Sequence, residues 1–501
     1  MPPDTTAGGG LLVLALLVPA VGILLALALG GRAAERLALP VMAAGLALAL
    51  AVTALVLRTD AALVYVVGGW RPPLGIALRA DGLSAAMLLT TALVMGGIGL
   101  FARHDYRTPA GRAEARLPVS FWTLWLGVWL GLVAVFVGDD LFNLFVALEL
   151  LTFSAVPLVC LDGRPETLGA ALRYLLVALL GSVLYLLGAA LLYGAFGTLD
   201  IALLAQRIRP GPPVWAALVL MTVGLLAKTA LFPLHMWLPP AHAGAPPAAS
   251  AVLSALVVKA SFFLLVRLWV DLLPAMPGPR PAQLLGILGV LAILHGSVLA
   301  MRQARLKLLV AYSTVAQIGY LFLIFPIVLA APVAVGVSAW IGGMVQLVSH
   351  ACAKAAMFMA AGLIARALGH DRIAGLDGIG RALPLTVLAF ALGGLSLMGL
   401  PPSGGFVAKW LLATSAVQGG QWWWALAILL GGLLTGGYLF RVLAPAIGGG
   451  AVPVPAVPIP RRQELVVLAL ALASVLLGFL PFYSLQLLAV GRLGGPVAAL
   501  P

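Results

Sequence analysis

The sequence predicts an all-α polytopic membrane protein of about 14 transmembrane helices, and three observations carry that prediction. Hydrophobic residues make up 63% of the chain and charged residues only 9%, with a mean hydropathy of +1.13, a balance foreign to soluble globular domains. Apolar stretches of about 20 residues, the length that crosses a bilayer, recur along all 501 residues. Two of these stretches are broken by proline and glycine, and each keeps a lysine near its break. Irregular backbone at membrane depth is tolerated only where it faces protein or a water cavity.

Taken in order, the spans centre near residues 20, 48, 91, 127, 150, 182, 224, 258, 291, 318, 350, 400, 432 and 474. The first, Leu11 to Leu29, has no basic segment before it, since Met1–Gly10 carries only Asp4; it reads as a first helix and not as a cleaved signal. Ala62–Leu78 is β-branched and turn-rich and predicts an external hairpin. The broken segments run from Leu225 to Ser250 and from Gly399 to Trp410. A pair of interrupted helices points to an internal repeat. The expected division is 1–117 (three helices and the hairpin), 118–275 (a first five-helix unit), 276–445 (a second) and 446–501 (the last helix). Five is odd, so the second unit must be inverted relative to the first. In the second break, Ser403–Gly405 reads as helix-break chemistry and not as a nucleophile or phosphate loop. Trp422, Trp423 and Trp424 read as an interfacial aromatic belt.

Alternating loops from an external N-terminus place 17 arginines and lysines inside, among them Arg112, against 8 outside, among them Arg267 and Arg492. The positive-inside rule therefore places both termini on the outer face of a bacterial or archaeal cell membrane. Topology also explains the net charge of +13, so no nucleic-acid partner is expected. Cys160 and Cys352 lie in apolar segments without CxxC or Cys/His spacing, so neither metal site nor disulfide is expected, and no cofactor.

The lysines point to function. Four of the five, Lys228, Lys259, Lys354 and Lys409, sit inside apolar segments, and only Lys307 lies in a basic, loop-like run. A charge at the bilayer centre costs about 3 kcal/mol on insertion scales, so such residues mark function. Lysine can change protonation when buried; arginine cannot. Glu149 is the one acidic residue deep in a span, and a buried carboxylate needs a cation, so we pair it with Lys228. A carboxylate that approaches or withdraws tunes the lysine's proton affinity. His235, His242 and His350 can bridge carriers, His350 sharing a helix face with Lys354 four residues on. Ser250, Ser254, Ser313, Thr314 and Gln317 are positioned to hold connecting waters. His295, near a span end, reads as structural. A single buried lysine can simply snorkel or pair structurally; four with one glutamate and several histidines favour transport.

The runs GDDLFNLFVALELLTFSAVPLV, AKTALFPLHMWLPPAHAGAPPAASAVLSALVVKA, RLKLLVAYSTVAQIGY, SHACAKAAMF and GLPPSGGFVAKW resemble the proton-translocating, antiporter-like subunits of respiratory complex I, of Mrp-type cation/proton antiporters and of membrane-bound hydrogenases. The resemblance implies two inverted five-helix units with helices 7 and 12 broken. It places the family's helix-5 glutamate on Glu149, its helix-7 and helix-8 lysines on Lys228 and Lys259, its helix-11 histidine on His350 and its terminal carrier on Lys409. The chain ends at Pro501, soon after its last span. The long lateral helix of the largest complex I subunit of this kind and the extra domain of the large Mrp subunit are therefore not expected. The branch that fits best is the D subunit of an Mrp-type Na+/H+ antiporter. The span around Val315 departs from symmetry: it has no acid to mirror Glu149.

The expected function is a proton-conducting subunit with no redox chemistry of its own, acting with other membrane subunits, the lipid bilayer, protons and, in an Mrp complex, Na+. The alternatives are an equivalent subunit of complex I or a hydrogenase, a stand-alone secondary transporter of a small organic substrate, and a scaffold whose buried charges only set packing.

Overall fold

A chain this apolar must satisfy its backbone within each crossing, which leaves the helix as the spanning unit. The computed structural model describes residues 4–109, 115–272, 279–330, 332–450, 453 and 455–491. Arg112, Arg492 and the dividing point after residue 275 lie outside these residues. Helix α1 (Gly10–Leu29) meets α2 (Gly31–Thr59) at Gly30, whose φ of 59° closes the turn. The hairpin follows as β1 (Leu63–Val66) and β2 (Ala77–Ala80), antiparallel with Leu63 opposite Ala80. The next helices are α3 (Gly82–Asp105), α4 (Arg116–Val137), α5 (Leu141–Val159), α6 (Pro165–Phe196), a short α7 (Ile201–Arg207), α8 (Pro212–Thr229) and a short α9 (Leu238–Gly244). After them come α10 (Pro247–Leu272), α11 (Pro279–Arg302), α12 (Leu306–Ala330) and α13 (Val333–Leu368). Helices α14 (Pro384–Met398), α15 (Gly404–Gln418), α16 (Trp422–Ile447) and α17 (Arg461–Phe479) complete the bundle.

Among the described residues, thirteen helices are long and apolar enough to cross a membrane. The position of a fourteenth is taken by α14 and α15, half-helices on either side of residues 399–403, with Ser403 capping α15 by accepting from the Phe406 amide at 3.1 Å. The first break is also present: α8 stops at Ala230, in the left-handed region at φ 59°, and only the short α9 precedes α10. Helices α10, α12 and α13 form the buried centre, while α1, α2, α6 and α16 turn leucines outward. Within the tryptophan run, Trp422 and Trp423 are exposed, whereas Trp424 turns inward and donates to Gln421.

Cross-links sort the helix ends. Arg366 bonds Asp105 and Gln463, Arg305 bonds Asp371, Arg164 donates to the Gly244 carbonyl and Lys307 to that of Ala245. One end of the bundle is therefore rich in arginine. The opposite end holds the hairpin together with both ends of the described chain: Thr6 pairs with Val64, and the Gly82 amide with the Val490 carbonyl.

One reading is corrected. Arg267, counted above among the loop charges, is buried in the last turns of α10. Its guanidinium reaches Asp81 Oδ1 at 2.8 Å, Asp271 Oδ2 at 2.8 Å and Ser84 Oγ at 3.0 Å. Two carboxylates and a hydroxyl replace the hydration a loop would have supplied, so the charge does not mark the end of the helix.

Candidate functional site

The site begins where α6 and α8 cross. A Cβ on Gly224 would lie 2.3 Å from the Gly181 carbonyl oxygen, and one on Gly181 would lie 2.6 Å from that of Gly224. Only glycine at both positions lets the backbones come this close. The approach delivers Ser182 from α6 and Lys228 from α8 to Glu149 on α5. Lys228 Nζ donates to Glu149 Oε1 at 3.2 Å and to Thr152 Oγ1 at 2.9 Å, and the Ser182 hydroxyl also donates to Glu149. The lysine side chain is 6% exposed and the glutamate 16%, so the carboxylate is the outer member of the pair. Behind them lies a cavity of about 10 Å³ lined by Thr152, Lys228 and Ser261, at the threshold for one water molecule.

At the break beyond Lys228, Trp237 caps the frayed end of α8 by donating to the Ala227 carbonyl at 2.9 Å and stacks on Tyr174. Thr229 continues the polar line to Ser261 at 3.0 Å. His235 packs edge-on against His295, ring centroids 4.9 Å apart, which brings into the site a histidine that sequence reading left as structural. His242 lies on α9 against Phe358, both ring nitrogens buried without a partner, and Ser250 donates to its carbonyl.

Lys259 follows a π-helical turn in α10, Leu253–Val257, a feature common at functional sites. Its ammonium donates to the Ser254 carbonyl at 2.8 Å, and among the described residues no carboxylate lies within ion-pairing distance. Ser254 in turn bonds Thr314 at 2.9 Å. Lys354 donates to the Val310 carbonyl at 3.0 Å and to Ser313. His350, one turn away, has both ring nitrogens buried and unpartnered and lies in the field of Lys259, Lys354 and Lys409. Lys409 donates to the Leu397 and Met398 carbonyls, the open C-terminus of α14, and sits 4.0 Å over the Tyr320 ring. A helix C-terminus and a π-face both favour a cation. Gln317 braces the same carbonyl at 3.1 Å and accepts from Gln346.

Three of the four lysines thus rest on carbonyls or hydroxyls. A neutral amine still donates hydrogen bonds, so such a lysine can lose its proton without orphaning a partner. Glu149 is the one place where a movable anion bears on a lysine. Sequence reading missed a hydroxyl node in which Ser349, Ser396 and Ser474 lie 2.7–3.1 Å from one another across α13, α14 and α17; isolated serines in apolar helices carry no pattern that would reveal it. It also missed the carboxylates at the hairpin end. There burial pushes Asp139 up to about 7, with Arg79 opposing and Asp200 adding to the rise. Asp81 goes the other way: burial would raise it, yet the Arg267 guanidinium holds it well below the usual carboxylate range.

Helical bundle, broken spans and a buried lysine series define a class of polytopic membrane subunits. Residues 138–435 match the family described as NADH:quinone oxidoreductase/Mrp antiporter, transmembrane region, and the chain belongs to that family. It is 37% identical over 390 residues, covering 76% of this chain and 75% of the relative, to the NADH-quinone oxidoreductase subunit N of Desulforudis audaxviator. Among solved structures it resembles a chain of the Mrp complex from Dietzia sp. (TM-score 0.83, 27% identity, 98% of this chain and 97% of that one). It also resembles a chain of the membrane-bound sulfane sulfur reductase, an archaeal respiratory membrane complex (TM-score 0.84, 28% identity, 98% of each). The chain is an antiporter-like membrane subunit whose partners are other membrane subunits.

Proposed function

We propose that this chain conducts protons across the membrane for a multisubunit complex, and that the complex is of the redox-driven quinone oxidoreductase kind. The observation that carries the first part is the Lys228–Glu149 pair. Protons load at Lys228 under control of Glu149, pass by Lys259 and the His350–Lys354 face, and leave at Lys409. Each protonated lysine disfavours the charged form of the next. His235, His242, Ser250, Ser254, Ser313, Thr314 and Gln317 line the route or brace it. Residues 118–275 and 276–445 act as two inverted five-helix units, with both termini on the outer face. The greater identity to an N subunit, 37% against 27% for the Mrp chain, favours redox coupling over Na+ counterflow. An Mrp-type Na+/H+ antiporter is the second reading, supported by a fold likeness just as close.

The test is purification of the native complex through a tag on this chain, with mass spectrometry of its partners and iron and flavin analysis. Iron- and flavin-bearing partners support redox coupling. Small hydrophobic partners free of both support the Mrp reading. A lone chain would overturn the subunit assignment. In the reconstituted complex, Lys228→Ala should abolish proton transport while assembly persists; wild-type rates would sink the carrier role.

A further inference from the structure

At the arginine-rich end, away from the lysine series, α2 and α3 enclose a cavity of about 540 Å³ lined by Arg32, Glu35, Arg36, Arg103 and Arg107. Four guanidinium groups share one carboxylate. Glu35 lies 3.7 Å from Arg103 and 3.8 Å from Arg107, too far for good hydrogen bonds. Arg103 Nε is buried and unpartnered, and Arg32 reaches only a backbone carbonyl, at 3.4 Å. The net charge of the lining is three positive, and its donors are largely unspent. Guanidinium forks match phosphate geometry, and partial burial strengthens the match.

The surface below the cavity identifies the ligand. On α2, Pro40, Ala43, Ala47 and Leu50 are exposed and continue from Arg36 in steps of four and three residues, one straight face of the helix. On α3, Leu93 and Leu100 lie on the exposed face that ends in Arg107, and a Cβ on the intervening Gly96 would meet nothing within 4 Å. Each arginine edge therefore caps a shallow apolar track running toward the bilayer interior. A phosphate joined to acyl chains fits both parts. An acidic protein segment would satisfy the arginines and leave the tracks unmatched.

We propose that this cavity binds the phosphodiester headgroup of an anionic phospholipid, whose acyl chains lie along α2 and α3. Basic pockets between transmembrane helices have this recognition chemistry. The site is independent of the proton route, so its failure would leave the proposed function standing.

The experiment uses the complete complex in nanodiscs of phosphatidylcholine with and without phosphatidylglycerol, reading retained lipid by native mass spectrometry and the thermal midpoint. One variant carries Arg36→Gln and Arg103→Gln; a charge-matched control carries Arg302→Gln and Arg372→Gln, exposed at the same end. Wild type and control should retain phosphatidylglycerol and gain stability from it. The cavity variant should bind it about 30-fold more weakly, a factor of roughly five for each juxtamembrane arginine removed. Equal loss in the control would reduce the effect to surface charge and overturn the site. Stabilisation by inorganic phosphate alone, equal to that by lipid, would assign the pocket to free phosphate and overturn the lipid. No dependence on phosphatidylglycerol in wild type, as expected if a neighbouring subunit's acidic segment fills the cavity, would overturn the proposal. A variant that fails to assemble is replaced by Arg36→Lys with Arg103→Lys, which keeps charge but loses the fork and should still bind several-fold more weakly; wild-type binding by it would overturn the guanidinium geometry.

Discussion

Removing Lys228 and Glu149 singly and together tests whether they act as one unit. Lys228→Met takes away two hydrogen bonds from a charged donor, to Glu149 at 3.2 Å and Thr152 at 2.9 Å, and leaves the carboxylate with the Ser182 hydroxyl. Stripping one partner from a fully buried pair costs about 3–5 kcal/mol. Glu149 is 16% exposed, so solvent and lipid headgroups relieve part of that loss, and about 2–3 kcal/mol is expected. Glu149→Gln keeps the shape and can still accept from Lys228, so about 1–2 kcal/mol is expected. In the double variant neither an unpaired anion nor an unpaired cation remains. Its cost should fall below the sum of the singles by about 1–2 kcal/mol, the coupling typical of residues in direct contact. Thermal unfolding of the detergent-solubilised complex reads the stabilities, and a proton-sensitive dye in vesicles reads transport. Transport should fail in all three variants. Additive stabilities would mean that the pair is not coupled, and intact transport in Glu149→Gln would remove the glutamate from the proposed switch.

Other outcomes follow from the same geometry. Gly224→Ala puts a Cβ 2.3 Å from the Gly181 carbonyl, forcing α8 off α6 at a cost of about 1–3 kcal/mol; transport should drop with the thermal midpoint, and a neutral result would mean that the crossing is loose. Arg267→Met leaves Asp81 and Asp271 facing each other without their cation, and about 3–5 kcal/mol should be lost; partial recovery on adding Asp81→Asn identifies the stranded charge as the cause. Asp139, raised to about 7 in the folded chain, should make stability fall as pH rises. The unfolded chain releases this proton near pH 4, the folded one only near 7, so the loss accrues between those values, reaches about 4 kcal/mol and is flat above. Asp139→Asn should remove that slope from a pH series of thermal midpoints, and an unchanged slope would place the titration elsewhere.

The features legible in the sequence were those written in local chemistry. The breaks after Lys228 and before Lys409 are spelled in proline and glycine, and the hairpin in β-branched and turn residues. The Glu149–Lys228 contact followed from scarcity, since the deepest acid needs a cation. What stayed hidden depends on which helix lies beside which. Arg267 looks like a span end because its neutralising acids stand on α3 and one turn further along α10. The contact of His295 with His235 needs α11 packed against the break after α8. The serine node joins three helices more than a hundred residues apart in the chain. The carbonyl partners of Lys259, Lys354 and Lys409 could not be read at all, because every residue offers a carbonyl and only backbone geometry frees one.

Helix α13 runs for 36 residues without interruption, about 54 Å at 1.5 Å per residue, well beyond the hydrocarbon thickness of about 30 Å. It is fastened at one extremity, where Trp340 donates to the Leu488 carbonyl, and at the other, where Arg366 holds Asp105 and Gln463. A continuously hydrogen-bonded helix hardly changes length, so it behaves as a push-rod. A neighbouring subunit that presses on either fastening shifts His350 and Lys354 together, by nearly the same distance, against the stationary oxygens of Val310 and Ser313. Mechanical input at the membrane surface and proton affinity at its centre are then read along a single axis.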